Sequence, residues 1–230
     1  MNVKALYWFL KSFVVAPVLR LLFRPHVEGE EHIPRTGPVI LAINHLAAID
    51  SFFIPILLRR RISFLAKSQY FTGKGVIGFL TKHFLLGVGQ LPIDRSGGTA
   101  SANSLNSGLK ALAEGNVLGI YPEGTRSPDG RLYRGKTGIA RMALTAGVPV
   151  VPISIQGTTK IRPFPRRATI RVMIGDPIDF TRFEGFDNDR LILRSVTDEV
   201  IYEILQLGEQ EYVDVYASTI KNNSEFDPTR

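Results

Sequence analysis

The most telling apolar run in the chain is Val39-Ile40-Leu41-Ala42-Ile43. It is short, rich in β-branched residues and preceded by Gly37-Pro38, the pattern of a strand buried on both faces. A second run, Phe52-Phe53-Ile54-Pro55-Ile56-Leu57-Leu58, is opened by Asp50-Ser51 and reads as a helix with an acidic, cap-capable start. The alternation then repeats. Residues 62–66 read as a strand, 71–86 as an apolar helix interrupted by glycines, and 89–95 as a strand. A helix follows over 99–114, with Leu105, Leu109 and Leu112 on one face, then a strand over 116–121 and a helix over 137–146. Residues 148–155 form another buried strand, where Pro149 and Pro152 suggest a sheet edge or an irregular end. One more strand spans 168–174, and the last long helix spans 187–207. Strands alternating with helices predict an α/β fold: a mostly parallel sheet flanked by helices.

The chain ends break this pattern. Residues 3–24 hold Ala5-Leu6-Tyr7-Trp8-Phe9-Leu10 and Phe13-Val14-Val15-Ala16-Pro17-Val18-Leu19, interrupted by Lys4, Lys11, Arg20 and Arg24. A spanning helix needs about 20 consecutive apolar residues, and no run here approaches that. Lys4 and Lys11 fall on one helical face, opposite most of the aromatics. The stretch therefore predicts an amphipathic, membrane-associating helical segment lying in the lipid interface, bent near Pro17. Residues 1–26 form this segment, 27–215 the α/β domain and 216–230 a polar tail. Arg59-Arg60-Arg61 reads as a solvated loop that could also face anionic headgroups.

Composition narrows the partners. The 230 residues are 44% hydrophobic, enough for one sizeable core, and carry a net charge of +7. The surplus favours anionic partners, and without a long Lys/Arg tract or a nucleic-acid signature it points to lipid or phosphorylated small molecules rather than nucleic acid. The absence of cysteine excludes disulfides, thiolate metal sites and cysteine nucleophiles. No metal cluster is legible.

Candidate chemistry gathers where strands end. His45 lies in the turn between the first strand and its helix, at the carboxyl edge where open α/β sheets place ligands. Asp50, in the first helical turn, can fold back onto the ring, fix its tautomer and leave the other nitrogen free to take a proton. Lys67, Arg95 and Glu123-Gly124-Thr125-Arg126 follow other strands to the same rim, with Lys136 nearby. A base with its orienting acid, ringed by cations, suits a small molecule that carries both a phosphate and a hydroxyl. Gly124 would let backbone N–H groups approach it closely. His32 and His83 carry no visible partner chemistry. A phosphohydrolase with His45 as nucleophile would want an Arg-Gly-His-like setting or a metal. A silent anionic-lipid-binding protein would leave His45 and Asp50 idle.

Asn44-His45-x-x-x-x-Asp50, the Arg95 strand, Glu123-Gly124-Thr125-Arg126 and Val151-Pro152-Ile153 occur in the order and rough spacing of the four motifs of glycerolipid acyltransferases. From about residue 27 to 177 the chain resembles the bacterial 1-acylglycerol-3-phosphate (lysophosphatidate) acyltransferases. It departs at Ala47, where serine is usual, and at Leu91-Pro92, where an aromatic is usual. The resemblance implies a membrane-associated enzyme at the cytoplasmic face. It would move an acyl group from acyl-CoA or acyl-carrier protein to the free hydroxyl of lysophosphatidate, with glycerol-3-phosphate or another lysophospholipid as open alternatives. His45 would be the general base held by Asp50. Arg95 and Arg126 would bind the acceptor phosphate, with Lys67 and Lys136 beside them, and Glu123, Gly124 and Thr125 would shape the pocket. No cofactor beyond the acyl thioester is implied.

Overall fold

Val39, Leu41 and Ile43 face one layer of the core and Ile40 and Ala42 the other, all five fully buried. Alternate side chains of a strand point to opposite faces, so a continuous apolar run places this strand at the centre of a sheet covered on both sides. The computed structural model describes residues 10–87, 90–93, 100–160 and 169–225. After a π-helical turn at Leu10–Val15 come α1 (Ala16–Leu22), β1 (Arg24–Glu28), β2 (Val39–Ile43), α2 (Asp50–Leu57) and β3 (Ile62–Lys67). The chain continues through α3 (Gly75–Gly87), β4 (Gln90–Ile93), α4 (Ala100–Ala113), β5 (Val117–Ile120), β6 (Leu132–Tyr133) and α5 (Gly138–Ala146). It finishes with β7 (Val150–Gln156), β8 (Thr169–Ile174), α6 (Arg190–Leu207), β9 (Tyr212–Val213) and α7 (Ala217–Glu225).

Seven strands form one sheet in the order β1-β8-β7-β2-β5-β3-β4, parallel throughout except between β7 and β8. The mostly parallel, helix-flanked architecture expected from the alternation is present. Phe53, Ile54 and Leu58 on and just after α2 cover one face; Leu112, Ile139, Val196 and Val200 on α4, α5 and α6 cover the other. Local chemistry sets the helix ends. Asp189 caps α6 by accepting from the N–H groups of Leu191 and Ile192 at 2.8 and 3.1 Å. Gly147 ends α5 at φ +60°, where its N–H and that of Val148 satisfy the last carbonyls.

Two expectations, the edge position of one strand and the plain tail, need amendment. β7 is interior, between β8 and β2, despite its prolines. Pro152 sits where the β8 ladder stops: pairing runs from Ile153 onward, and at Pro152 the carbonyl still accepts from Gly175 N–H at 2.9 Å. The missing donor thus falls outside the regular ladder. In the N-terminal segment the Lys11 Nζ donates to the Leu58 carbonyl at the end of α2. The arginine cluster is the loop expected, with Arg59 89% exposed beside Glu30, while Arg60 reaches the Pro34 and Gly37 carbonyls at 2.7 Å each and Arg61 that of Leu86 at 3.3 Å. Within the segment expected to be a polar tail, α7 is helical, and Ala217 is fully buried. The first nine residues, with Lys4 and Trp8, lie outside the described residues. Further along the same segment, Ala16 and Phe23 enter the core, Phe23 packing edge-on against Phe53 at 5.2 Å, while Phe13 and Leu21 are 73% and 67% exposed. Among the described residues no helix is long and apolar enough to cross a membrane.

Candidate active site

Because β2, β5, β3 and β4 are parallel neighbours, the residues that follow them emerge at one edge. Asn44 leaves β2 first. It is fully buried and hydrogen-bonds β7 as another strand residue would: its Oδ1 accepts from Ile155 N–H at 2.7 Å and its Nδ2 donates to the Ile155 carbonyl at 3.0 Å. Nδ2 also donates to Gln210 Oε1 at 2.5 Å, and Gln210 in turn donates to the Gly130 carbonyl at 2.6 Å. The turn that carries His45 is thereby fixed to β7 and to the loop that follows α6.

His45 is held at every remaining handle. Its backbone N–H donates to Glu123 Oε2 at 2.9 Å, and its carbonyl accepts from Ser127 N–H at 2.7 Å. Nδ1 lies 3.0 Å from Asp50 Oδ2, and the ring stacks on Tyr121 with centroids 3.8 Å apart and planes 13° from parallel. Asp50 is not the cap its position suggested. Ile49 occupies the cap position of α2, and the Asp50 carboxylate turns back over the preceding loop, where Oδ2 also accepts from the N–H groups of Leu46 and Ala47 at 2.7 and 2.8 Å. A fully buried carboxylate on Nδ1 selects the tautomer with its proton there, leaving Nε2 as the basic nitrogen. The imidazole retains 15% exposure. Such an arrangement can accept a proton at Nε2 with the ring held in place.

Tyr121, Ser51 and Phe64 were not singled out by sequence, yet they build the other wall. The Tyr121 hydroxyl and Ser51 Oγ are 2.9 Å apart, and burial pushes the phenol pKa far up, so it stays protonated. Phe64 stacks on Tyr121 at 5.4 Å and occupies the space above Gly119, its partner across the β3–β5 ladder. A Cβ on Gly119 would sit 2.4 Å from the Phe64 ring. One glycine therefore sets the position of Phe64, hence of Tyr121, hence of the His45 ring.

Glu123 is 1% exposed, and both its oxygens are engaged: Oε2 by His45 N–H and Oε1 by Tyr133 N–H at 3.0 Å. Burial raises its pKa to about 7 against the pull of those two donors and, more weakly, of Lys221. Its place is under the site, tying the His45 turn to β6. Gly124 adopts φ +75°, but its N–H donates to the Tyr121 carbonyl at 3.0 Å rather than toward open space. The absent side chain makes room for Lys136: a Cβ on Gly124 would lie 2.9 Å from Lys136 Cδ and 3.3 Å from its Nζ. Thr125 Oγ1 accepts from Lys221 Nζ at 3.0 Å. Arg126 is exposed, and among the described residues neither it nor Lys136 has an ion-pair partner. Lys67 ends β3 at this edge, opposite Ile93, the last residue of β4. Arg95 lies outside the described residues.

The structure thus brings His45, Asp50, Glu123, Gly124, Thr125 and Lys136 into one continuous set of contacts. Asn44, quoted in the sequence only as the residue before His45, and Tyr121 and Lys221, not singled out there, also touch this set. Asn44 could have been found as a polar residue closing a wholly apolar strand. Nothing local marks Lys221.

The family model described as "Acyltransferase" matches residues 24–156. The 1-acyl-sn-glycerol-3-phosphate acyltransferase of Bacillus subtilis is 30% identical over 66% of this chain and 72% of its own length. The chloroplastic relative of that name from Arabidopsis thaliana is 30% identical over 73% of this chain and 47% of its own. Among solved structures, the 1-acyl-sn-glycerophosphate acyltransferase PlsC of Thermotoga maritima is similar with a TM-score of 0.62 and 25% identity, covering 91% of this chain and 81% of that one. A matched span that contains the His45 turn, Asp50 and the 123–126 loop, on a sheet of the same architecture, places this chain in the acyltransferase family.

Proposed function

We propose that the protein moves a fatty acyl group from an acyl thioester, acyl-CoA or acyl-carrier protein, to the free hydroxyl of 1-acylglycerol-3-phosphate, forming phosphatidate. The observation that carries this reading is the buried Asp50 carboxylate on Nδ1 of a partly exposed, otherwise immobilised His45. Nε2 accepts the acceptor's hydroxyl proton as its oxygen attacks the thioester carbon. Collapse of the tetrahedral intermediate breaks the carbon–sulfur bond, and the imidazolium returns the proton to the leaving thiolate. Asp50 and the Tyr121 ring face stabilise the imidazolium while it exists. Arg126 and Lys136, exposed cations in and beside the 123–126 loop, bind the acceptor phosphate, with Lys67 and Arg95 completing the set. Glu123 and Gly124 act by shaping the loop that carries them.

Membrane association at the cytoplasmic face, peripheral rather than spanning, belongs to the same proposal. It is supported by Phe13, Val18 and Leu21, exposed on a segment whose other side enters the core. Residues 1–26 contact lipid in this reading, and 27–215 carry the chemistry. The test is a panel of acceptors offered to purified protein with one acyl-CoA: lysophosphatidate, glycerol-3-phosphate, a lysophospholipid with a substituted phosphate, and no acceptor. Phosphatidate and free thiol formed in equal amounts from lysophosphatidate are expected. Vesicle binding without thiol release from any acceptor would favour a silent lipid-binding protein instead.

A further inference from the structure

The backbone of His45 is gripped by a closed circuit of hydrogen bonds. Its carbonyl accepts from Ser127 N–H at 2.7 Å, and Ser127 Oγ accepts from Gly130 N–H at 2.9 Å. The Gly130 carbonyl accepts from Gln210 Nε2 at 2.6 Å, and Gln210 Oε1 accepts from Asn44 Nδ2 at 2.5 Å. Asn44, next to His45 in the chain, completes the path. Of these residues Gln210 alone lies beyond the span that the family model covers, which ends at residue 156. We propose that Gln210 is a positioning residue for acyl transfer: its side-chain amide fixes the His45 turn against the loop that carries Arg126. This rests on the acyl-transfer reading given above and extends it to the segment after α6, which no motif marks.

The sheet dictates the orientation of both amides in the circuit. Ile155 N–H donates to Asn44 Oδ1 at 2.7 Å, so the other end of that amide is the donor. Gln210 must then offer its oxygen to Asn44 and its nitrogen to Gly130. An amide supplies an acceptor and a donor; a carboxylate supplies acceptors only. The seat of Gln210 is built from both sides. α6 ends at Leu207 just before it, and β9 follows, pairing in parallel with β6, Leu132 opposite Tyr212 and Tyr133 opposite Val213. Leu132 N–H donates to the Glu211 carbonyl at 2.9 Å and Arg134 N–H to the Val215 carbonyl at 3.1 Å, which closes the clasp. Tyr133, within the same clasp, is the residue whose N–H engages Glu123. Glu123 thus fixes the His45 N–H, and the circuit fixes the His45 carbonyl. Buried Ser127, which meets that carbonyl, directly follows Arg126. Along the backbone, the base and the cation proposed for the acceptor phosphate are one hydrogen bond and one peptide bond apart. A reacting group displaced by about 1 Å can lose ~10²-fold in rate.

The test uses the full chain and steady-state kinetics with lysophosphatidate and acyl-CoA varied separately. The proteins are wild type, Gln210→Met, Gln210→Glu, Ser127→Ala and the double variant of Gln210→Met with Ser127→Ala. Gln210→Met, similar in length but without a donor, should lower kcat about tenfold or more. The acyl-CoA KM and the melting temperature should stay close to wild type. Ser127→Ala opens the same circuit at another point, so the double variant should lose little beyond the slower single one. Gln210→Glu adds a pH signature. A protonated carboxyl offers the donor and acceptor that the seat requires, and its carboxylate does not. Its kcat relative to wild type should therefore rise as pH falls from 8 to 5.5, while the ratio for Gln210→Met stays flat. Wild-type kcat in Gln210→Met would overturn the Gln210 assignment and leave the proposed function standing. So would losses that multiply in the double variant, a pH-independent ratio for Gln210→Glu, or a loss shared by both KM values with a lowered melting temperature. Wild-type protein inert toward every phosphorylated acceptor would instead overturn the function, and this assignment with it.

Discussion

Replacing Glu123 by glutamine should remove part of the protein's loss of stability toward alkaline pH and impair it as an enzyme. The carboxyl group is raised from 4.5 to about 7 chiefly by burial. The folded protein therefore holds a proton on Glu123 over a range where the unfolded chain has lost it. Stability from this group is complete below about pH 4.5 and is lost as pH climbs through 7. The displacement corresponds to about 3 kcal/mol by pH 8 and less than about 1 kcal/mol at pH 5. Glutamine cannot ionise and lacks that slope. Urea unfolding of both proteins at pH 5, 6, 7 and 8 should show their free-energy difference moving in favour of Glu123→Gln by about 2 kcal/mol across the series. Catalysis should move the other way. Two backbone donors, His45 N–H and Tyr133 N–H, need two acceptor oxygens, and an amide offers one. One buried N–H then faces an NH₂ group, the His45 turn shifts, and kcat at pH 8 should fall about 100-fold, the usual consequence of a displaced reacting group. Parallel stability curves would refute the burial argument. A variant with wild-type kcat would refute the claim that Glu123 positions His45.

Asp50→Asn should keep both KM values near wild type and lower kcat by about 10³-fold or more, because the amide no longer fixes the tautomer; single-turnover acyl transfer measures it. Arg126→Ala should raise the KM for lysophosphatidate about tenfold while sparing that for acyl-CoA, and equal changes in both would remove it from the phosphate site. Phe13→Ser with Leu21→Ser, which alters two exposed apolar side chains and no core residue, should weaken sedimentation with anionic vesicles about tenfold or more and leave the melting temperature unchanged.

The elements legible in the sequence are those whose pattern is local. The apolar run of β2, its turn and the acidic opening of α2 sit within about twenty residues, so the His45–Asp50 pair could be read from the chain alone. What could not be read depends on strand order. Phe64 and Gly119 meet only because β3 pairs with β5, and that contact positions Tyr121 against His45. Pro152 looked like an edge residue because proline's missing donor is visible in sequence, whereas the point at which β8 leaves the ladder is not. Asp50 had the right composition for a cap, but a ring and two N–H groups in the loop behind it compete for the same oxygen. The polar sequence after residue 216 has a weakly amphipathic surface, and only the β6–β9 clasp brings it to the rim.

That clasp also sets when the enzyme can begin to work. A nascent chain has made its imidazole, its buried carboxylate and the whole 123–126 loop long before Gln210, Tyr212 and Lys221 are synthesised. Until those residues clear the ribosome, Asn44 lacks Gln210, β6 has no neighbour, and Thr125 has no ammonium beside it. Acyl transfer would then wait until residues 210–221 have emerged, and a protease that removed α7 would again leave Thr125 without its ammonium.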